Sequence, residues 1–106
     1  MLVQRSADYP VGIPFNTTQY AILTHLFARH LGVQPGLLTH VMADSHIYAN
    51  QIEGVKKQLE QWKSLNTSNI PKIEISGPTN FWDIKLENIQ VADYNPLPAI
   101  KYEVAI

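Results

Sequence analysis

Three short stretches hold polar side chains at spacings that suit a small-molecule site. The first is Gln4-Arg5-Ser6-Ala7-Asp8. Arg5 offers a planar fork of donors that matches a phosphate, Ser6 adds a hydroxyl and Asp8 a carboxylate. The same residues also read as a local Arg5–Asp8 salt bridge. The second stretch is Gly12-Ile13-Pro14-Phe15-Asn16. A glycine lets a ligand approach the backbone closely. A side-chain amide supplies both a donor and an acceptor, the pattern needed by the imide edge of a uracil ring. Asn16 reads equally as a helix N-cap, a role Thr17 can also fill. The third stretch is Asp44-Ser45-His46-Ile47-Tyr48. If it stays extended, His46 and Tyr48 point to one side and can grip a sugar hydroxyl together; otherwise it is a polar loop with a packed tyrosine. The four histidines do not suggest a metal, because His25 and His30, five apart, fall on different helix faces and no other ligand spacing fits.

These groups need elements to hold them. Leu2 to Ser6 reads as a short strand and Asp8 to Pro14 as a loop punctuated by Pro10, Gly12 and Pro14. A helix is predicted from an Asn16 or Thr17 cap to Leu31, with Gly32 as its left-handed stop. Tyr20, Ala21, Ile22, Leu23, Leu26, Phe27, Ala28 and Leu31 surround most of that helix. An all-round apolar helix is a buried one, and burying it on every side needs more protein or a partner. Leu37 to Met42 reads as a strand. Ile52, Val55, Leu59 and Trp62 recur at helical steps, with Glu53 and Lys57 on the wet side, and this helix ends before Asn66. Asn66 to Asn69 reads as loop, Lys72 to Ile75 as a strand, Pro78 to Leu86 as holding one helical turn, and Ile89 to Asp93 as extended. Alternation from Ile100 to Ile106 predicts a last extended segment. The expected fold is a single partial domain over 1–106, of α+β class, with a mixed sheet on a long buried central helix.

Composition narrows the function classes. The chain has 106 residues, 45% hydrophobic and 16% charged, with formal net charge −1 and no cysteine. That is one small domain, able to bury ~65% of its unfolded surface. Near-neutral charge argues against nucleic acid or a membrane surface as partner. No apolar run approaches the ~20 residues of a membrane span. Without a signal-like opening segment, the chain reads as cytoplasmic. The missing cysteine removes disulfides, thiolate metal sites and thiol nucleophiles from this chain.

The three stretches together resemble the C-terminal part of the thymidylate synthase family. Residues 4–20 resemble its QRSxDxxxGxPFNxxxY signature, Asp44 to Asn50 its DxHxYxN segment, and Tyr94 to Lys101 with Val104-Ala105-Ile106 its C-terminal YxPxPxIK…A[VI]. The resemblance covers essentially the whole chain. It implies methylation of dUMP with 5,10-methylenetetrahydrofolate as cosubstrate and no metal. It implies that Arg5 and Ser6 bind the nucleotide phosphate beside Gln4, and that Asp8 contacts the pterin and anchors a proton-transfer water network. Asn16 would select uracil over cytosine. His46 and Tyr48 would hold the 3′-hydroxyl, and Tyr48 would also border the folate. Val11, Gly12 and Phe15 would line the folate side, and Ala105 with the Ile106 carboxylate would close over it. Asp8 and Asn16 are thus the implied catalytic residues.

There are departures. The family nucleophile is a cysteine on the strand before the QRS stretch, and this chain has none. That group attacks C6 and makes C5 nucleophilic, and nothing else here replaces it. Gln51 stands where many relatives have histidine, a minor change. The 106 residues alone are therefore expected to be inactive. They would act within a homodimeric full-length enzyme or beside an N-terminal half. The alternatives are a dUMP hydroxymethylase of the same superfamily and a non-catalytic module working only with a cysteine-bearing partner.

Overall fold

The computed structural model describes residues 1–65 and 70–103. The expected loop at 66–69, the end of the last extended segment and the two predicted folate contacts Ala105 and Ile106 lie outside them.

Strand β1 (Leu2–Asp8) pairs in parallel with β2 (His40–His46), in register from Leu2 opposite His40 to Asp8 opposite His46. Parallel strands need a crossover, and helix α1 (Gly12–Leu31) supplies it. The helix starts earlier than the cap reading of Asn16 or Thr17 predicts. Pro14 is its third residue, in the first turn, where a missing N–H costs no helical bond. Asn16 is therefore helical and its side chain is free for other work. At the far end Gly32 adopts φ 67°, and Val33 N–H closes on Ala28 O at 2.9 Å, the expected left-handed stop. β2 begins three residues later than Leu37. Its ladder ends where Leu2 N–H donates to Thr39 O, so Leu37 finds no partner strand and stays exposed.

A 3-10 turn (Ala49–Gln51) leads into α2 (Ile52–Trp62). Strands β3 (Lys72–Ile75) and β4 (Ile89–Ala92) form an antiparallel pair, with 3-10 turns at Phe81–Asp83 and Leu86–Asn88 between them. Among the described residues the expected single mixed sheet is thus replaced by two separate two-stranded sheets, one parallel and one antiparallel. Lys101 to Glu103 join neither.

The expectation of a buried central helix also needs correcting. Within α1 only Ala28 is buried, while Phe15 is 75% and Leu31 69% exposed. One side of α1 meets β1 and the Phe81–Asp83 turn, where Phe27 stacks on Phe81 at 5.0 Å, but among the described residues no second layer covers the rest. The whole surface reflects this. It measures 8269 Å², against about 6,000 Å² for a compact 12.0 kDa monomer. The radius of gyration is 16.2 Å, against about 13 Å for this length. Only Ala7, Ala28 and Gln51 are buried among the described residues.

Candidate functional site

The site lies at one end of the β1–α1–β2 unit. Because β1 and β2 run parallel, both carboxyl ends, Asp8 and His46, face the same way, and α1 begins beside them at Gly12. Clefts at the carboxyl ends of parallel strands are where such units bind ligands.

Alternation along β1 decides which of its residues enter. Gln4, Ser6 and Asp8 share the half-buried face, whereas Arg5 lies on the other face with Val3, exposed. The alternative Arg5–Asp8 salt bridge is not formed: the two point to opposite sides, and no such ion pair occurs among the described residues. Asp8 bonds elsewhere. Val11 N–H donates to its Oδ1 at 3.4 Å, and Gln51 Nε2 to its Oδ2 at 3.2 Å. Gln51, only 1% exposed, also accepts from Tyr48 N–H through Oε1 at 3.1 Å. One buried amide thus ties the end of β1 to the end of β2.

A second network lies deeper along the strands. Gln4 Nε2 donates to Asn16 Oδ1 and to Ser6 O, each at 2.9 Å. Gln4 Oε1 is 2.9 Å from His40 Nε2, and His40 Nδ1 is 3.1 Å from Thr17 Oγ1. Gly12 sits against both networks: a side-chain carbon there would lie 3.5 Å from Asn16 Oδ1 and 3.5 Å from the Asp8 Cβ. No buried side-chain nitrogen or oxygen among the described residues lacks a partner.

His46 and Tyr48 come together as the extended reading requires. Asp44 to His46 lie within β2, Tyr48 is extended at φ −71°, ψ 148°, and the two rings meet edge to face at 5.0 Å. His46 Nδ1 also lies 3.4 Å from Asp44 Oδ1. Val11 and Phe15 turn outward into an open groove of about 1230 Å³, shared with Tyr9, Leu59, Trp62 and Tyr94. The groove is bounded below by the C-terminal segment, which Gln61 Nε2 anchors by donating to Pro98 O at 3.1 Å.

His40 escapes a reading of the sequence because it sits in an apolar run. Gln51 stands out there only as a minor change from histidine at the head of an amphipathic helix, whereas the structure gives it two bonds in a buried position. The signal was the even spacing of Gln4, Ser6 and Asp8 on one strand face. Inward polar groups require polar partners, and the paired strand and the turn after it must supply them. No cluster of metal-ligating side chains occurs among the described residues, and no helix among them is long and apolar enough to cross a membrane.

Comparison with known proteins agrees with the motifs. The family described as thymidylate synthase matches residues 1–106. The chain is 46% identical over 107 residues to a thymidylate synthase of Clostridium beijerinckii, 100% of this chain and 40% of that protein. It is 43% identical over 106 residues to a thymidylate synthase of Listeria monocytogenes, and 41% identical over 105 residues to one of Staphylococcus haemolyticus. In both cases the match spans 99% of this chain and 32% of the relative, so the chain covers roughly a third of their length. The chain belongs to the thymidylate synthase family.

Proposed function

We propose that this chain is the C-terminal portion of a thymidylate synthase. It would supply nucleotide- and folate-binding groups to a site that methylates dUMP to dTMP with 5,10-methylenetetrahydrofolate. The observation that carries this reading is the convergence of Asp8, Gly12, Asn16, His46 and Tyr48 at the carboxyl edge of one parallel strand pair. Asn16, held through its oxygen by Gln4, keeps an amide donor for a pyrimidine carbonyl. Asp8, held by Gln51 and the Val11 amide, keeps lone pairs for the pterin and for water. His46 and Tyr48 suit the deoxyribose hydroxyl. Ser6, on the inner face of β1, suits the phosphate, whereas the exposed Arg5, on the opposite face, would have to reach it around the strand edge. The groove past Val11 and Phe15 suits the flat rings of a folate.

Two observations support a division of labour. The sequence has no cysteine, so the nucleophile that would add to C6 must come from elsewhere. The apolar face of α1 and the groove around Trp62 are open to solvent, so further protein would complete the fold. That protein would be the cysteine-bearing N-terminal part, and the assembled enzyme would be a homodimer.

Tritium release from 5-tritiated dUMP tests the reading. The chain alone should release none, and the chain combined with a cysteine-bearing N-terminal half should release it as Trp62 fluorescence shifts to the blue. Turnover by the chain alone overturns the account of the nucleophile. Recovery of 5-hydroxymethyl-dUMP in place of dTMP identifies a hydroxymethylase instead.

A further inference from the structure

We propose that His40 and Thr17 are positioning residues that lock the Asn16 side-chain amide in one orientation and thereby exclude cytosine from the site. The proposal rests on the reading of Asn16 as the pyrimidine contact. It starts from the direction each hydrogen bond must take. An amide oxygen can only accept, so His40 Nε2, 2.9 Å from Gln4 Oε1, carries the proton. In the neutral ring Nδ1 is then an acceptor, and the Thr17 hydroxyl, 3.1 Å away, donates to it. The Ser6 carbonyl, which can only accept, holds the Gln4 nitrogen from the other side, and that nitrogen also reaches Asn16 Oδ1, both at 2.9 Å. Asn16 is then held by its oxygen, and Nδ2 is left pointing away from Gln4.

Uracil and cytosine differ in what an amide must offer. Uracil shows a carbonyl beside an N–H, which suits an outward Nδ2 and the second lone pair of Oδ1. Cytosine shows an amino group beside a bare nitrogen, and only a flipped amide matches it. Flipping Asn16 would set its Nδ2 against Gln4 Nε2, donor against donor. Turning Gln4 as well would set its nitrogen against His40 Nε2–H. Turning Gln4 would also set its oxygen against the Ser6 carbonyl, acceptor against acceptor, so the flip is blocked by Ser6 O and His40 together, on the far side of Gln4 from the ligand. A polar site that leaves a wrong partner unpaired discriminates strongly.

The test uses the chain assembled with its cysteine-bearing complement and compares affinities for dCMP and dUMP. His40→Leu should raise the dCMP-to-dUMP affinity ratio about tenfold, the size of one good hydrogen-bond pairing. His40→Gln, which keeps a donor toward Gln4, should restore most of the discrimination. Thr17→Val, close in shape, should move the ratio in the same direction by less, and it guards against a misfolded His40→Leu protein. Nitrogen-15 shifts of the His40 ring should report the Nε2–H tautomer. A ratio unchanged within twofold in both His40→Leu and Thr17→Val, or an Nδ1–H tautomer, overturns the proposal. Asn16→Ala separates the two levels. If it weakens dUMP binding while His40→Leu leaves the ratio alone, only the role of His40 fails. If it leaves dUMP affinity unchanged, the reading of Asn16 fails and the exclusion of cytosine falls with it.

Discussion

The polar end of the β1–α1–β2 unit and the apolar groove beside it are built on opposite terms. Along that unit Asp8 bonds to Gln51 at the carboxyl end and Gln4 bonds to Asn16 and His40 deeper along the strands, all within this chain, and Gln51 is almost wholly buried. In the groove, Tyr9, Phe15, Leu59, Trp62 and Tyr94 stand 55–75% exposed. The polar groups are arranged among themselves, whereas the apolar surface is left exposed. Hydrogen bonds are directional and are satisfied by a few local partners; burial of apolar surface needs a second layer. The chain thus fixes its polar pattern while much of its apolar surface stays uncovered.

The sharpest way to break this contrast is Gln51→Leu. It leaves the Asp8 carboxylate and the Tyr48 amide without their buried partner, and should cost about 3 kcal/mol in urea denaturation. A loss under about 1 kcal/mol would mean that the polar end is no better ordered than the groove. Next is Arg5→Ala. Arg5 is exposed and outside any ion pair described, so stability should hold while dUMP binding in the assembled enzyme falls by roughly 1.5–3 kcal/mol. Unchanged affinity by calorimetry would remove Arg5 from the phosphate site.

Gly54 probes the groove side. It lies inside α2, where glycine costs about 1 kcal/mol relative to alanine, yet an added carbon would come within 2.5 Å of the Tyr102 ring. Gly54→Ala should therefore destabilise the protein by about 1–2 kcal/mol and speed amide exchange around Tyr102. The same change in a Tyr102→Ala background should stabilise instead. If the sign does not reverse, Tyr102 does not dock on α2. The smallest effect is in alkali. Tyr102 donates to Gln58 Oε1 at 2.7 Å, and burial raises its pKa above the ordinary value of 10.0. A raised folded value means that its stability contribution is full below the ordinary tyrosine range and is lost as pH rises through the folded value. Stability of the protein minus that of Tyr102→Phe should shrink over that window; a flat difference would deny the shift.

Much of the fold was legible. β1, the Gly32 stop, α2 from Ile52 to Trp62 and β3 follow from periodicity and from a glycine where φ must be positive. The start of α1 at Gly12 is hidden because Asn16 has two competing roles, and the position of Pro14 in the first turn settles which one it takes. The start of β2 at His40 is hidden because Leu37, Leu38 and Thr39 have strand propensity but, among the described residues, no strand to pair with. Of the site, the pairing of His46 with Tyr48 follows from alternation, whereas His40 and Gln51 enter only through contacts 36 and 43 residues away in sequence.

Residue types and their order by themselves determined the family, the type of the main helices and strands and the polar face of β1, because those depend on local geometry and on side-chain chemistry. Only the tertiary structure decided that Gln51 bridges the two strand ends and that His40 stands behind Gln4. The physical reason is register. A strand pair brings distant residues opposite one another, and one step along either strand would have turned every one of these side chains to the other face.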